Sequence, residues 1–522
     1  MSGMANHEKR RQEDAKKKAK SNTRAKSGAG SKSAGRSRAA RRVGTSDSPC
    51  SVDARCGGCK NLCVPYTKQL IDKQLRIERL FAPLAPDGTI SLIKGMKDPY
   101  HYRNKVISPF APGKKLPLRG RDRKAIDSRN RKAADVRGAK GGKGKRPQAR
   151  YEILTGMYAA GSHELVPTDK CLIENETAKK VVLAVRDIMR KHDVAPYRED
   201  TGTGFMRHVV VRVGHASGEV LVTLVTNSDD FPSSKSFCRE LIRLCPAVTT
   251  VVQNVNERQT NVILGDKERV LYGPGFILDE LCGLSFRISS KSFYQVNATQ
   301  TEVLYRAAMD LAGFDGTQVA IDAYCGTGTI GLVAAKSGAA RVIGVDSVES
   351  AIRDARTNAR HNGVENAEFV AGDATDFMCE LAKEGVLGAE SPEEGAQAGG
   401  LVVLMDPPRA GSTEEFLRAA AALAPKRIVY ISCNPETQAR DVEFLDSIGY
   451  AVVAVQPVDM FPHTDHIECI VALEPVDSLS PDRWGKEGGE EEAAEDEGTS
   501  DGEEASGGET DAADPAIDEE VE

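Results

Sequence analysis

The strongest constraint on the fold is a series of short hydrophobic runs between residues 319 and 433. Runs of aliphatic and β-branched residues alternate there with amphipathic, helix-like segments, and several runs end in an acidic residue or a cysteine. Parallel strands need a long crossover connection, which is usually a helix, so this alternation is typical of parallel sheets. It predicts a doubly wound α/β sheet, Rossmann-like, with ligands bound at the carboxyl edge of its strands.

The run at 428–432 ends at Cys433, which Asn434 and Pro435 follow. Pro435 has no N–H to donate and biases Asn434 away from helix, so we expect the strand to stop abruptly. Cys433 would then be presented at the carboxyl edge of the sheet. A cysteine at this place is either a small buried core residue or a nucleophile, and the residue alone favours the first.

Acidic residues at the ends of neighbouring strands indicate a nucleoside site. Asp346, Asp373 and Asp406 end three successive hydrophobic runs, and the glycine-rich loop D-x-x-C-G-T-G at 322–328 precedes a helix. Such loops let the backbone approach a ligand closely, and a carboxylate about 20 positions on suits ribose hydroxyls. No basic group accompanies them to balance a pyrophosphate. The pattern favours the cationic S-adenosylmethionine over NAD, and a methyltransferase over an oxidoreductase.

A methyl donor beside a cysteine suggests covalent catalysis at a pyrimidine. C5 of a pyrimidine is a poor nucleophile until a thiolate adds to C6, and a base must then remove the C5 proton. Cys433 is the candidate nucleophile. The candidate bases His463, His466 and Glu468 lie together in the run HTDHIE.

A cysteine group near the start of the chain predicts a metal site. Cys50, Cys56 and Cys59 form a C-x5-C-x2-C run, and the fourth ligand would be either Cys63 or Cys171. Four cysteines suit zinc, usually as two C-x2-C pairs, whereas an iron–sulfur cluster accepts an asymmetric run with a distant fourth cysteine. One pair with an outlying cysteine fits the cluster better.

The charge of the chain is unevenly distributed. Residues 1–47 form a basic arm, residues 476–522 form an acidic tail, and the formal net charge of −6 is their near-cancellation. Neither segment has enough large apolar side chains to form a core, so both are predicted to be disordered. The arm either attracts a nucleic-acid backbone through counterion release or only keeps the protein in solution.

Between these tails we predict two domains. Residues 48–285 are expected to form a mixed α/β domain that carries the metal site and binds RNA, with a basic loop insertion at 112–150. Residues 286–475 are expected to form the catalytic domain. No run of about 18 apolar residues and no secretory signal occurs, so we expect a cytoplasmic protein without a membrane span. We also expect a monomer.

Five motifs, in order along the chain, resemble those of the RNA 5-methyluridine (uracil-5) methyltransferases. They are FYQVN at 293–297, DAYCGTGTIG at 322–331, DPPRAG at 406–411, SCNP at 432–435 and MFPHTDHIE at 460–468. The cysteine run resembles the 4Fe–4S site of the branch of that family that acts on 23S ribosomal RNA. The resemblance spans about residues 48–474.

The resemblance implies roles for individual residues. Cys433 would be the nucleophile and Glu468 the base. The pocket for the donor and the uracil would be formed by Gln295, Tyr324, Gly326, Thr329, Asp346, Asp373 and Asp406. The cluster ligands would be Cys50, Cys56, Cys59 and Cys171.

The implied activity is methylation of a uridine in 23S ribosomal RNA, which gives 5-methyluridine. Two alternatives stay open: the same reaction on tRNA, and a noncatalytic RNA-binding protein with a relic pocket. Many relatives carry a β-barrel RNA-binding module before the cluster. Here we expect the basic arm or the 112–150 loop to take over that role.

Overall fold

The computed structural model describes residues 48–117, 150–384 and 400–478. The predicted basic arm, most of the predicted 112–150 loop and the acidic tail beyond residue 478 lie outside these ranges. Every described residue belongs to one compact unit that begins at Thr45. None of the described helices is long and apolar enough to span a membrane.

The first part of the chain forms a mixed sheet. Its strands lie in the spatial order β3-β2-β1-β4-β5-β6-β7, where only the β5–β6 pair is parallel. The strands are β1 (Lys105–Leu116), β2 (Arg150–Tyr158), β3 (Leu165–Pro167), β4 (Met206–Val213), β5 (Val220–Thr226), β6 (Val248–Val255) and β7 (Lys267–Tyr272). Strand β1 continues to Leu116, so the connection that was predicted to start at residue 112 begins at residue 117, five residues later.

Two helices cover this sheet. They are α2 (Glu176–Lys191) and α3 (Ser234–Leu244), while α1 (Tyr66–Phe81) lies earlier in the chain. Asn175 caps α2 by accepting hydrogen bonds from the N–H groups of Thr177 and Ala178 at 2.9 and 3.2 Å. The apolar side chains of α2 recur at spacings of three and four residues, so they form one buried stripe against the sheet.

The second part forms the predicted doubly wound sheet. The strand order is β12-β11-β10-β13-β14-β16-β15, parallel from β12 to β14 and antiparallel in the last two pairs. The strands are β10 (Val319–Ala323), β11 (Arg341–Asp346), β12 (Ala367–Ala371), β13 (Leu401–Met405), β14 (Arg427–Ser432), β15 (Tyr450–Val458) and β16 (Glu468–Pro475). The fold class predicted from the alternating pattern is confirmed.

Helices pack on both faces of this second sheet. They are α4 (Ala298–Ala312), α5 (Thr329–Lys336), α6 (Glu349–His361), α7 (Ala374–Glu384), α8 (Glu414–Ala422) and α9 (Pro435–Ser447). Two apolar cores result, one on each face. A hairpin of β8 (Phe276–Leu281) and β9 (Leu284–Ser289) precedes α4, and the predicted domain boundary at 285/286 falls inside β9.

Helix α1 follows the cysteine run but packs on the second sheet. Ile77 and Phe81 are fully buried in the core that also contains Tyr430 of β14 and Val455 of β15. The segment after α1 adds to the edge of the same sheet, through parallel bridges from Ile90 to Val455 and from Lys94 to Val458. The cysteine run is therefore anchored to the part of the fold that carries Cys433.

Candidate active site

Cys433 lies at the carboxyl end of β14, as predicted. It is half-buried, and Pro435 opens α9 two residues later. The turn between them is fixed locally, because the Asn434 N–H donates to Ser432 Oγ at 3.1 Å. The cysteine is thus held between a buried strand and the first turn of a helix.

Strand register brings Glu468 to the same place. Strands β14 and β16 pair antiparallel, with Ile428 opposite Leu473 and Ser432 opposite Cys469. The next position on each strand is Cys433 on one and Glu468 on the other. Directly opposed residues of an antiparallel pair have Cβ atoms about 5 Å apart. The register, continued one residue beyond its last pair, therefore opposes Cys433 to Glu468, and Glu468 is 3% exposed.

The start of α9 is fastened to the DPPRAG loop. Asn434 Nδ2 and Thr437 Oγ1 both donate to the Arg409 carbonyl at 3.0 Å. Gln438, which is buried, donates from Nε2 to the carbonyls of Tyr430 and Cys469 at 2.8 and 3.0 Å. This bracing ties the strand ends of β14 and β16 and the loop after β13 to one helix.

The glycine-rich loop after β10 has residues with positive φ and free space beside its backbone, as expected of a loop that binds a ligand. Tyr324 has φ of 65°, and its ring lies 5.3 Å from that of Phe416. Gly326 has φ of 53°, and a Cβ placed there would meet nothing within 4 Å. The Thr329 hydroxyl, on the first residue of α5, lies 3.2 Å from the Tyr305 hydroxyl. At the edge of the sheet, this loop therefore has backbone without a covering side chain at Gly326 and the aromatic ring of Tyr324.

Two of the three strand-end carboxylates converge on this loop. Asp346 is half-buried, and its Oδ2 accepts from the Gly326 N–H at 2.9 Å while its Oδ1 accepts from the Val348 N–H at 2.7 Å. Asp406 is half-buried as well, and its charge contributes to the raised pKa of Asp322. Asp373 is exposed, and its Oδ1 accepts from the N–H groups at the start of α7. Its local task is therefore that of a helix cap.

Asp322 is a residue that motif reading passed over. Its carboxyl group is completely buried, Oδ2 accepts from the Gly331 N–H at 2.7 Å, and Oδ1 has no partner among the described residues. Burial first, and then the charges of Asp406 and Asp346, raises the pKa of Asp322 to about 8. The signal in the sequence was its place as the first residue of the D-x-x-C-G-T-G loop.

Gln295 lies on a loop that the first sheet holds. This loop follows β9, and the side chain of Gln295 is half-buried. Asn104 donates from Nδ2 to the Gln295 carbonyl at 3.2 Å and from its N–H to the Val296 carbonyl at 2.8 Å. Arg212, buried in β4, donates to the Ser292 carbonyl at 2.6 Å. Residues of the first sheet therefore set the position of the FYQVN motif.

The four predicted cluster cysteines are electrostatic neighbours. Burial, and then the nearby thiols of Cys171, Cys56 and Cys50, raises the pKa of Cys59 to about 12. Burial raises the pKa of Cys171 to about 11. Cys63 is exposed and donates to Asp53 at 3.2 Å. Across residues 48–117, 150–384 and 400–478, no group of three or more His, Cys, Asp or Glu side chains is arranged to hold a metal ion.

The cysteine run contacts the turn that leads to Glu468. The N–H groups of Lys60 and Asn61 both donate to the His463 carbonyl at 3.0 Å. His463 has φ of 69°, and its ring stacks on Tyr100 with centroids 5.0 Å apart. This turn, residues 459–467, is called the base turn below. Its shape depends on backbone hydrogen bonds from the cysteine run.

Helix α1 contacts the base turn through the side chains of Lys73 and Gln69. Lys73 Nζ donates to Asp459 Oδ1 at 2.7 Å in an ion pair that is 5% and 0% exposed. Gln69 Nε2 lies 3.1 Å from His463 Nδ1, and Gln69 Oε1 accepts from the His463 N–H at 2.9 Å. An amide nitrogen only donates, so Nδ1 must accept and the imidazole is neutral. Burial lowers the pKa of His463, which agrees with that state.

A family model described as tRNA (uracil-5-)-methyltransferase matches residues 267–476. An RNA methyltransferase of Bacillus cereus is 36% identical over 433 residues, which cover 83% of this chain and 84% of that protein. One of Oceanobacillus iheyensis is 38% identical over 421 residues, 80% of this chain and 81% of that protein. Both carry the description "uncharacterized".

A solved structure with a similar fold is that of the Pyrococcus abyssi tRNA (uracil-54, C5)-methyltransferase in complex with S-adenosyl-L-homocysteine. It is 26% identical, with a TM-score of 0.57, and the match covers 80% of this chain and 86% of that one. The similarity therefore extends over both sheets rather than over the second sheet alone.

Proposed function

The chain belongs to the RNA (uracil-5-)-methyltransferase family and is an RNA methyltransferase; on that premise, we propose that it methylates C5 of a specific uridine in 23S ribosomal RNA. S-adenosylmethionine is the methyl donor. The observation that supports this reaction is the register of β14 and β16, which ends with Ser432 opposite Cys469 and, continued by one residue, opposes Cys433 to Glu468. We also propose that the enzyme acts as a cytoplasmic monomer.

The chemistry follows from the two side chains at the strand ends. Cys433 Sγ adds to C6 of the uracil, and the C5 that results is nucleophilic enough to accept a methyl group. Glu468 then removes the proton from C5, the C6–S bond breaks, and the thiolate is restored. A uridine within folded RNA must leave its stack to reach Cys433, so the target is expected in a loop or bulge.

The residues around the glycine-rich loop fit the donor. When bound, S-adenosylmethionine supplies an electrophilic methyl group on a positively charged sulfur. The open backbone at Gly326 admits a close approach, and the buried Asp322 Oδ1 lacks a partner. Asp346 and Asp406 give this edge the negative charge that suits a cation. We propose that Tyr324 and Thr329 line the same pocket, with Gln295 on the uracil side and Asp373 at its outer margin.

A ribosomal target is supported by the cysteine group, through its resemblance to the ribosomal-RNA branch of the family. We propose that Cys50, Cys56, Cys59 and Cys171 bind a 4Fe–4S cluster. Their thiols are neighbours and half-buried. The cysteines of a cluster bind different iron atoms and lie farther apart than the ligands of a single metal ion. The side chains therefore do not have to converge on one point. The tRNA alternative is supported by the name of the similar P. abyssi enzyme.

The reaction is tested by methylation with labelled donor on unmodified 23S ribosomal RNA and, separately, on tRNA, followed by mapping of the product. We expect 5-methyluridine at one or two ribosomal positions. Cys433→Ala should abolish turnover, and Glu468→Gln should accumulate a covalent protein–RNA adduct that survives denaturing electrophoresis. Turnover by Cys433→Ala would refute the covalent mechanism, and product on tRNA alone would refute the ribosomal target.

The cluster is tested by analysis of protein purified without oxygen. We expect iron and acid-labile sulfide in equal amounts together with a brown chromophore. Cys59→Ser should lose them. Cys63→Ser is the matched control and should keep them, because the Cys63 side chain donates to Asp53. Zinc in place of iron, or equal loss in both variants, would refute this ligand set.

A further inference from the structure

Tyr100 is an exposed aromatic side chain at the margin of the candidate active site. Within residues 48–117, 150–384 and 400–478, the exposed tyrosine and phenylalanine side chains are Tyr100 at 40%, Tyr272 at 42% and Phe293 at 51%. Phe293 belongs to the FYQVN motif, and Tyr272 lies on the edge strand β7 of the first sheet. Neither the motif series nor the proposed chemistry gives Tyr100 a role.

The position of Tyr100 is fixed by its neighbours. Its ring stacks on that of His463 at 5.0 Å with an interplanar angle of 26°. The chain that follows contacts both the base turn and the FYQVN motif, because the Tyr102 hydroxyl donates to the Pro462 carbonyl at 3.0 Å and Asn104 donates to the Gln295 carbonyl at 3.2 Å. One face of the Tyr100 ring is covered by His463, and the residue is still 40% exposed.

Exposed lysines lie on the chain segments next to this aromatic pair. The Lys94 carbonyl accepts from the Asp459 N–H at 2.9 Å, at the start of the base turn, and the Lys60 N–H donates to His463 near its middle. Lys97 is exposed and lies three residues before Tyr100. Lys60 Nζ pairs with Asp465 at 3.2 Å, whereas Lys94 and Lys97 are exposed and give the segment before Tyr100 positive charge that attracts phosphates.

We propose that Tyr100 is a stacking platform for an unpaired base of the RNA that flanks the target uridine. The inference rests on the proposed function, since it assumes an RNA substrate. A uridine that is splayed out toward Cys433 leaves its neighbours without their stacking partner, and a rigid aromatic ring restores that contact. The lysines beside it bind the adjoining phosphates, so the surface combines an aromatic face with a cationic margin.

The test compares variants that keep the bulk of the side chain. Wild-type protein, Tyr100→Leu and Tyr100→Trp are titrated with a fluorescent fragment of the methylated RNA in the presence of S-adenosylhomocysteine. Loss of a base–aromatic stack weakens binding by about 5- to 150-fold, so Tyr100→Leu should raise the Kd and the KM for RNA by that factor. Tyr100→Trp should retain wild-type affinity. Tyr272→Leu is the control of equal exposure and should bind as the wild type does.

A second measurement locates the stacked base. Fragments with 2-aminopurine at single positions beside the target should show one position whose fluorescence is quenched by wild-type protein and recovers with Tyr100→Leu. Equal Kd values for Tyr100→Leu and wild-type protein, with no position that recovers, would overturn the inference while methylation by the wild type persists. Absence of both binding and methylation in the wild type would instead overturn the proposed function.

Discussion

The buried ion pair between Lys73 and Asp459 should be a main support of the base turn. Lys73 Nζ donates to Asp459 Oδ1 at 2.7 Å and to the Phe461 carbonyl at 3.3 Å, and the Tyr66 hydroxyl donates to Asp459 Oδ2 at 2.8 Å. Burial lowers the pKa of Lys73, while the charge of Asp459 opposes that shift. Lys73→Met would leave a carboxylate in a fully buried place with a single hydroxyl as partner.

Removal of one partner of a buried ion pair costs about 3–5 kcal/mol, because the remaining charge is not compensated. The hydrogen bond from Tyr66 persists in Lys73→Met, so we expect the lower end of that range. Adding Asp459→Asn removes the buried charge, and the double variant should be more stable than Lys73→Met alone. The coupling free energy from the double-mutant cycle should be about 1–3 kcal/mol.

The assay is urea unfolding followed by circular dichroism, together with hydrogen exchange of the base turn. Lys68→Met is the matched control, because Lys68 pairs with Asp72 on the same helix with both side chains more than half exposed. That variant should cost less than about 0.5 kcal/mol. Equal effects of Lys68→Met and Lys73→Met, or additive effects within the cycle, would refute the assignment. If hydrogen exchange in the base turn is the same in Lys73→Met as in the wild type, the ion pair does not support that turn.

Three further outcomes are expected. Burial lowers the pKa of His208 from 6.5 to about 3. The unfolded chain therefore binds a proton that the folded protein does not, so the free energy of unfolding should fall by about 1.4 kcal/mol per pH unit as the pH drops below 6.5. Acid titration of His208→Leu should lack this component. Gly328→Ala should weaken the binding of S-adenosylhomocysteine measured by calorimetry, because Gly328 has φ of +79° and the new Cβ would lie 2.8 Å from Phe369. An unchanged affinity would contradict this account of the loop. Gln69→Glu should raise the pKa of His463 in NMR titration, since a carboxylate beside Nδ1 favours the imidazolium, and an unshifted titration would show that the amide does not set its state.

Much of the second sheet could be predicted from the sequence. The strands that end at Asp346, Asp406 and Cys433 are largely buried apolar runs that alternate with helices, whereas β12, before Asp373, is mostly exposed. The positions of Cys433 and Asp346 at the carboxyl edge follow from that pattern alone. The boundary of the 112–150 insertion was less accurate, since β1 extends to Leu116 through a polar stretch whose pairing with β2 determines its length.

The environment of the site was harder to predict from the sequence. Asp322 has the same side chain as Asp346, but its complete burial shifts its pKa upward, and no local pattern encodes burial of that kind. On helix α1, Ile77 and Phe81 are buried while Ile71 and Leu75 are exposed. The surface against which this helix packs could not be predicted, because an amphipathic pattern specifies a buried face and not its partner.

By itself, the sequence determined the fold class, the strand-end residues and the pattern of cysteines, because periodicity and turn chemistry act over a few residues. The tertiary structure decided how those parts cooperate. The contact between Gln69 and His463 joins residues 394 apart, and that between Lys73 and Asp459 joins residues 386 apart. Contacts at such separations depend on how the packed elements meet in three dimensions. They hold the turn before Glu468 against helix α1, and no local pattern in the sequence specifies that arrangement.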